Sequence, residues 1–139
     1  MIMAQSGQYN YRRCLQHGET GAAQLAVAEF VRHTMQAVFL LNRKYRPFYK
    51  WAFRAMRELP LLGTLSEPLE YLLTTENADD IAKAKAEIIE DISILIIDEA
   101  KKQKLSSATG YELETHAYSV NDAITDPQIR NLHVMYAVN

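Results

Sequence analysis

The chain has 139 residues, 48% of them hydrophobic and 23% charged, with a net charge of −2. That length suits one domain with a core of its own, and that charge excludes a general nucleic-acid binder. No apolar run approaches the ~18 residues of a membrane span. The start, MIMAQSGQYNY, is neither basic nor apolar enough for a signal peptide. Cys14 is the only cysteine, which rules out an intrachain disulfide and fits a reducing cytoplasm. Five Gly, four Pro and scarce β-signals predict an all-α fold, a helical bundle of roughly six helices filling 1–139.

Residues 1–17 predict a short helix, with Ile2, Tyr9 and Leu15 among its buried candidates. Gly7 weakens it, Gly18 ends it, and Thr20 is a fair N-cap for the central helix. Arg12 and His17 stand as Arg-x4-His, the spacing of a short motif in ribonucleases built on two-helix-pair bundles. A surface Arg and a His favourable to the helix dipole explain the same pair.

The central stretch is a helix over 22–44, free of Gly and Pro. On a wheel of 100° per residue, Glu29, Arg32, His33, Gln36 and Arg43 share one stripe, and nearly everything else is apolar. The stripe faces either water or a cleft. Asn42 falls on the apolar side, so its amide needs a partner, and a carbonyl at the helix end is the favoured one. Pro47 then suits the first turn of a second helix that runs to about Leu59 and buries Phe48, Ala52, Ala55, Met56 and Leu59.

Arg43, Lys44, Arg46, Lys50, Arg54 and Arg57 put six cations within fifteen residues, with no acid among them. Tyr45, Tyr49 and Trp51 are interleaved. Cations with aromatics suit a phosphate-bearing or planar ligand. A solvated face, or pairing with an acidic helix, accounts for them equally simply.

Ser66 reads as the N-cap of a short helix with Pro68 in its first turn. The longest helix spans 78–104, with Ile81, Ala84, Ile88, Ile92 and Leu95 as its core face. It is expected to pack antiparallel to 22–44 as the central pair. Glu87, Asp91 and Asp98 line a separate stripe that either meets the basic face or lies in water. Leu105–Gly110 is a loop, and Leu113, Ala117, Val120 and Ile124 have helical spacing. Asp126 and Pro127 open a last helix burying Ile129, Leu132 and Tyr136. The histidines at 17, 33, 116 and 133 are scattered, each an ordinary packed or surface residue by position, and no metal site is predicted.

Three segments carry a resemblance: GQYNYRRCLQHGET at Gly7–Thr20, AEFV at Ala28–Val31, and LNRKYRPFYKW at Leu41–Trp51. They resemble a bacterial family of uncharacterised proteins in which a helical domain follows a nucleotidyltransferase-fold domain. The helical half is similar to the substrate-binding bundles of antibiotic nucleotidyltransferases. The resemblance implies a substrate-binding or accessory domain whose partner is an N-terminal nucleotidyltransferase-fold domain or subunit. Nucleoside triphosphate and Mg are implied for that partner alone, with no cofactor on this chain. The Gly-Ser turn and Asp-x-Asp carboxylates that hold the metal ions are absent here, so this chain alone is not expected to transfer nucleotides. Met1 stands where the family's chain is already under way, which implies an excised domain or a separately encoded helical half.

On this reading Glu29, Arg32, His33, Arg43, Tyr45, Lys50, Trp51 and Arg54 are the binding candidates, and Glu29 the candidate carboxylate for deprotonating an acceptor hydroxyl. Two alternatives stand beside it. One is a ribonuclease using Arg12 and His17. The other is a structural bundle that pairs as a homodimer without ligand.

Overall fold

The computed structural model describes residues 1–135. Among them are seven α-helices, a 3-10 turn at Gly63–Leu65, and no strand. The helices are α1 (Ile2–Gln16), α2 (Thr20–Leu41), α3 (Tyr49–Arg57), α4 (Ser66–Thr74), α5 (Asp79–Lys102), α6 (Leu113–Asp122) and α7 (Pro127–Arg130). The two long helices, α2 and α5, supply most of the core. Phe30, Val31, Met35, Val38 and Phe39 of one and Ile89, Ile92, Ile96 and Ile97 of the other are buried.

α2 and α5 run parallel, not antiparallel as expected. Lys85 near the start of α5 donates to Gln24 Oε1 near the start of α2, at 3.3 Å. At the far end Gln103 Nε2 donates to the Leu41 carbonyl at 2.9 Å. The reason is the excursion between them. α3 and α4 carry the chain back along α2, so α5 must set out in the same direction. Asn42 fixes the turn of that excursion. Its amide donates to the Val38 and Leu61 carbonyls at 2.8 and 2.9 Å and accepts from Leu61 N–H at 3.0 Å. The helix-end carbonyl expected for Asn42 is thus found, together with a second partner nineteen residues on.

α1 packs antiparallel to both long helices. Tyr11 Oη donates to Asn77 Oδ1 just before α5, and Gln8 Nε2 donates to Glu90 Oε2 further along it. Gly7, read as a weak point, is instead the place where α1 touches α2. A Cβ there would lie 2.6 Å from the Ala26 carbonyl oxygen and 2.6 Å from Phe30 Cβ. Only a residue without a side chain allows helices this close. Ala4, Gly7 and Tyr11 form the buried face, whereas Tyr9 is exposed and Ile2 and Leu15 are half-buried.

The expected core face of α5 is rotated by about one residue, or 100°. Ala82, Lys85, Ala86, Ile89, Ile92, Ser93, Ile96, Ile97 and Ala100 are buried, and Leu95 is exposed. Lys85 is the cause, since a charged residue at a core position breaks the apolar pattern. It is 0% exposed. Its ammonium has three hydrogens and meets three oxygens: Asn77 Oδ1 at 2.7 Å, the Thr75 carbonyl at 2.9 Å and Gln24 Oε1 at 3.3 Å. It also sits 5.8 Å above the Tyr11 ring. Thr75 is the C-cap of α4, so the cation closes the negative end of that helix. Burial pushes the Lys85 amine below its ordinary value and the Tyr11 phenol up to about 12, the latter helped by Tyr71.

Smaller differences have local causes. Pro47 does not open α3, because Phe48 remains extended (φ −52°, ψ 143°) and serves as N-cap, which leaves its ring exposed rather than buried. α2 begins at Thr20 itself, with Glu19 as N-cap. Leu65, not Ser66, precedes α4, since the 3-10 turn leads directly into it. Asp126 does cap α7, its Oδ1 accepting from Gln128 N–H at 2.8 Å, but Ile129 and Leu132 are exposed. Tyr136 lies outside the described residues.

Candidate functional site

The C-terminal ends of α2 and α5 close in the same way. At α2, Arg43 N–H donates to the Leu40 carbonyl and Lys44 N–H to the Phe39 carbonyl. At α5, Lys104 donates to Lys101 and Leu105 to Ala100. This paired pattern needs a left-handed residue just past the cap, where glycine is usual. α1 follows the rule with Gly18 at φ +71°. α2 and α5 instead place Arg43 and Lys104 there, both at φ 57°. The left-handed backbone costs an L-residue roughly 1–2 kcal/mol. A cation at a helix C-terminus recovers about 0.3–1 kcal/mol.

Beside these ends lies a cavity of about 630 Å³. α2 contributes Arg32, His33, Gln36, Ala37 and Leu40, and the segment beyond it Arg43 and Arg46. Met1 to Met3 in and before α1, Ile96 and Ala100 of α5, and Val120, Asn121 and Ile124 in and after α6 complete most of the wall. Three guanidinium groups and an imidazole therefore share one cavity, and no carboxylate is among its described lining residues. Burial lowers the His33 pKa, with Arg32 and Arg46 acting the same way and Glu29 opposing them. The imidazole is then neutral at pH 7 and keeps a single N–H to donate.

The residues expected to form a site divide into two groups. Arg32, His33 and Arg43 meet at the cavity, and Arg46 joins them. Glu29 is half-buried and is not among the described lining residues, although it acts on the pKa of His33. Tyr45, Lys50, Trp51 and Arg54 are all exposed, Tyr45 at 92%, on α3 and the irregular segment before it. Lys50 lies 5.5 Å over the Trp51 ring, and the Phe48 and Tyr49 rings are 4.4 Å apart. The cluster does not pair with the acidic stripe of α5. Among the described residues the one ion pair is Arg57–Glu70, at 3.1 Å.

Arg12 and His17 do not share a pocket. Arg12 lines a shallow groove with Lys83 and Glu87, whereas His17 is the exposed C-cap of α1. Two features lie outside the expected site. The α6 side of the cavity comes from half-buried residues such as Ala117, Val120 and Ile124, whose helical spacing is visible in the sequence but whose meeting with α2 is not. His116 is fully buried, its Nε2 donating to the Gly110 carbonyl at 3.0 Å and its Nδ1 2.7 Å from Ser106 Oγ, so it pins the 106–110 loop. Among the described residues no group of three or more His, Cys, Asp or Glu is placed to hold a metal ion.

Fold and cavity together define an all-α bundle with an arginine-rich pocket at one end. A family described as a domain of unknown function (DUF4037) matches residues 1–52. The match takes in α1, α2 and the start of α3, and so all three segments of the resemblance. No curated protein and no solved structure matches the chain.

Proposed function

We propose that this chain is a ligand-binding helical domain. It holds an anionic ligand for chemistry performed by a nucleotidyltransferase-fold partner, and it supplies no catalytic group of its own. The observation that carries the reading is the convergence of Arg32, Arg43 and Arg46 with His33 on one cavity whose described lining has no carboxylate. Guanidinium groups are the side chains best suited to phosphate and carboxylate, which they grip through paired N–H donors. The partner rests on the resemblance alone, whose three segments lie inside the stretch matched by a family of unknown function.

Calorimetric titration of the 139-residue chain with pyrophosphate tests the anion site. Saturable binding is expected, lost in the Arg43→Ala/Arg46→Ala double variant and kept in Lys50→Ala/Arg54→Ala. Binding that ignores the first pair, or no binding at all, removes the cavity from the proposal.

A further inference from the structure

The cavity has two kinds of wall. Its cations come from α2 and the segment after it, while the rest of the described lining is largely aliphatic: Leu40, Ile96, Ala100, Val120 and Ile124 are representative. Leu40 is 49% exposed although it lies on the helix face between Gln36 and Arg43. With Ile96, Val120 and Ile124 it forms a shared apolar wall beside the arginines, a surface suited to an apolar ligand.

The volume argues against a bare inorganic anion. Cavities of about 300–1,000 Å³ accommodate whole small molecules, and this one falls in that range. The lining also argues against a nucleoside. A base and ribose need several neutral hydrogen-bond partners, or their polar groups are buried unpaired. Gln36 and Asn121 are the amides present, and Asn121 already donates to the Arg130 carbonyl at 3.2 Å. Polycationic acceptors are excluded by repulsion from three arginines.

We infer that this cavity is a site for an amphiphilic anion, with a carboxylate or phosphate head held by Arg43 and Arg46 and an apolar body laid against Leu40, Ile96, Val120 and Ile124. The inference rests on the reading of the cavity as the ligand site and adds the class of ligand. Arg43 occupies a left-handed position of the kind α1 fills with Gly18, so glycine can replace it without straining the backbone. Lys104 has the same backbone but does not line the cavity, which makes it the internal control. His33 lines the cavity beside the arginines and offers one further N–H to the head group.

The test is calorimetric titration of the 139-residue chain with octyl phosphate, octanoate, methyl phosphate and octylammonium. Octyl phosphate or octanoate is expected to bind at least tenfold tighter than methyl phosphate, with octylammonium showing no saturable binding. Whichever of the two anions binds tighter identifies the head group. Arg43→Gly keeps the backbone geometry and is expected to weaken the octyl anions at least tenfold, and Lys104→Gly to leave them within twofold. Val120→Phe, which fills the aliphatic side, is expected to weaken octyl phosphate but not pyrophosphate. Pyrophosphate bound through Arg43 and Arg46 with no gain from the octyl chain sinks the amphiphile and leaves the anion site standing. Octylammonium bound as tightly as the octyl anions sinks it as well. No anion bound at all sinks both.

Discussion

Replacing Gly7 by alanine adds one methyl group at the place where α1 meets α2. That Cβ would fall 2.6 Å from both the Ala26 carbonyl oxygen and Phe30 Cβ, and 2.8 Å from Phe30 N. Unstrained carbon contacts lie at about 3.5–4.0 Å, so the helices must part by roughly 1 Å. A gap of that size forfeits about a quarter to a half of the dispersion energy along the seam, and overpacking of this kind costs about 1–3 kcal/mol, occasionally more. Alanine's better helix propensity returns about 1 kcal/mol. The net expectation is a loss of about 1 kcal/mol, or roughly 4 °C in Tm for a domain of this size. Gly21→Ala is the matched control. Its Cβ meets nothing within 4 Å, so only the propensity term remains, and a gain of about 0.5–1 kcal/mol is expected. Urea denaturation followed by far-UV circular dichroism reads both. The account of the α1–α2 seam fails if Gly7→Ala is as stable as the parent chain.

Three further outcomes are expected. Lys85 has a folded pKa below its unfolded value, so between the two the unfolded chain binds more protons and stability rises with pH. The parent chain should therefore gain stability relative to Lys85→Met as pH climbs towards 10.5, with the Tyr11 phenol common to both chains and cancelling from the difference, and pH-resolved urea melts showing a falling difference would contradict the lowered pKa of Lys85. Arg43→Gly and Lys104→Gly should each stabilise the fold, by about 0.5–1 kcal/mol after the lost helix-end charge is counted, and thermal melts showing destabilisation would mean that these side chains hold the helix ends. Breaking the half-exposed Arg57–Glu70 pair by Arg57→Ala should change stability by less than about 0.5 kcal/mol, as a double-mutant cycle with Glu70→Ala would measure.

The lengths of α2 and α5 were legible because glycine, proline and polar residues bracket them and their interiors are apolar over most of the circumference. Asn42 was legible for the same reason, since an amide in phase with Val31 and Val38 demands a partner. The orientation of the long pair was not. It depends on whether the excursion through α3 and α4 returns the chain to its starting end, and Asn42 makes that choice through Leu61, a contact no local pattern encodes. The core face of α5 was misread because Lys85 counts as polar in any periodicity, although its four-carbon stem packs as an aliphatic. Half of the cavity was legible in the polar stripe of α2. Its other half comes from Val120, Asn121 and Ile124, whose helical spacing marks a helix but says nothing of its meeting with α2. The exposed cations of α3 looked like the same cluster as Arg43 and Arg46 in sequence, and the irregular segment at 44–48, which leaves Phe48 extended, parts them.

The parallel course of α2 and α5 gives the molecule an electrical polarity that a net charge of −2 conceals. Both helices point their negative ends the same way, and α1, running against them, cancels only part of the sum. The chain has answered with charges of the opposite sign at each pole. Arg43, Lys44, Arg46, Lys101, Lys102 and Lys104 cluster where the two helices finish, and Glu19, Glu76, Asp79 and Asp80 where they start. Arg12 and Arg13 of α1 offset some of the acidic pole. In an external field such a body turns before it drifts. An anion nearby draws the basic pole round to face it, and the orientation is reached before any contact forms.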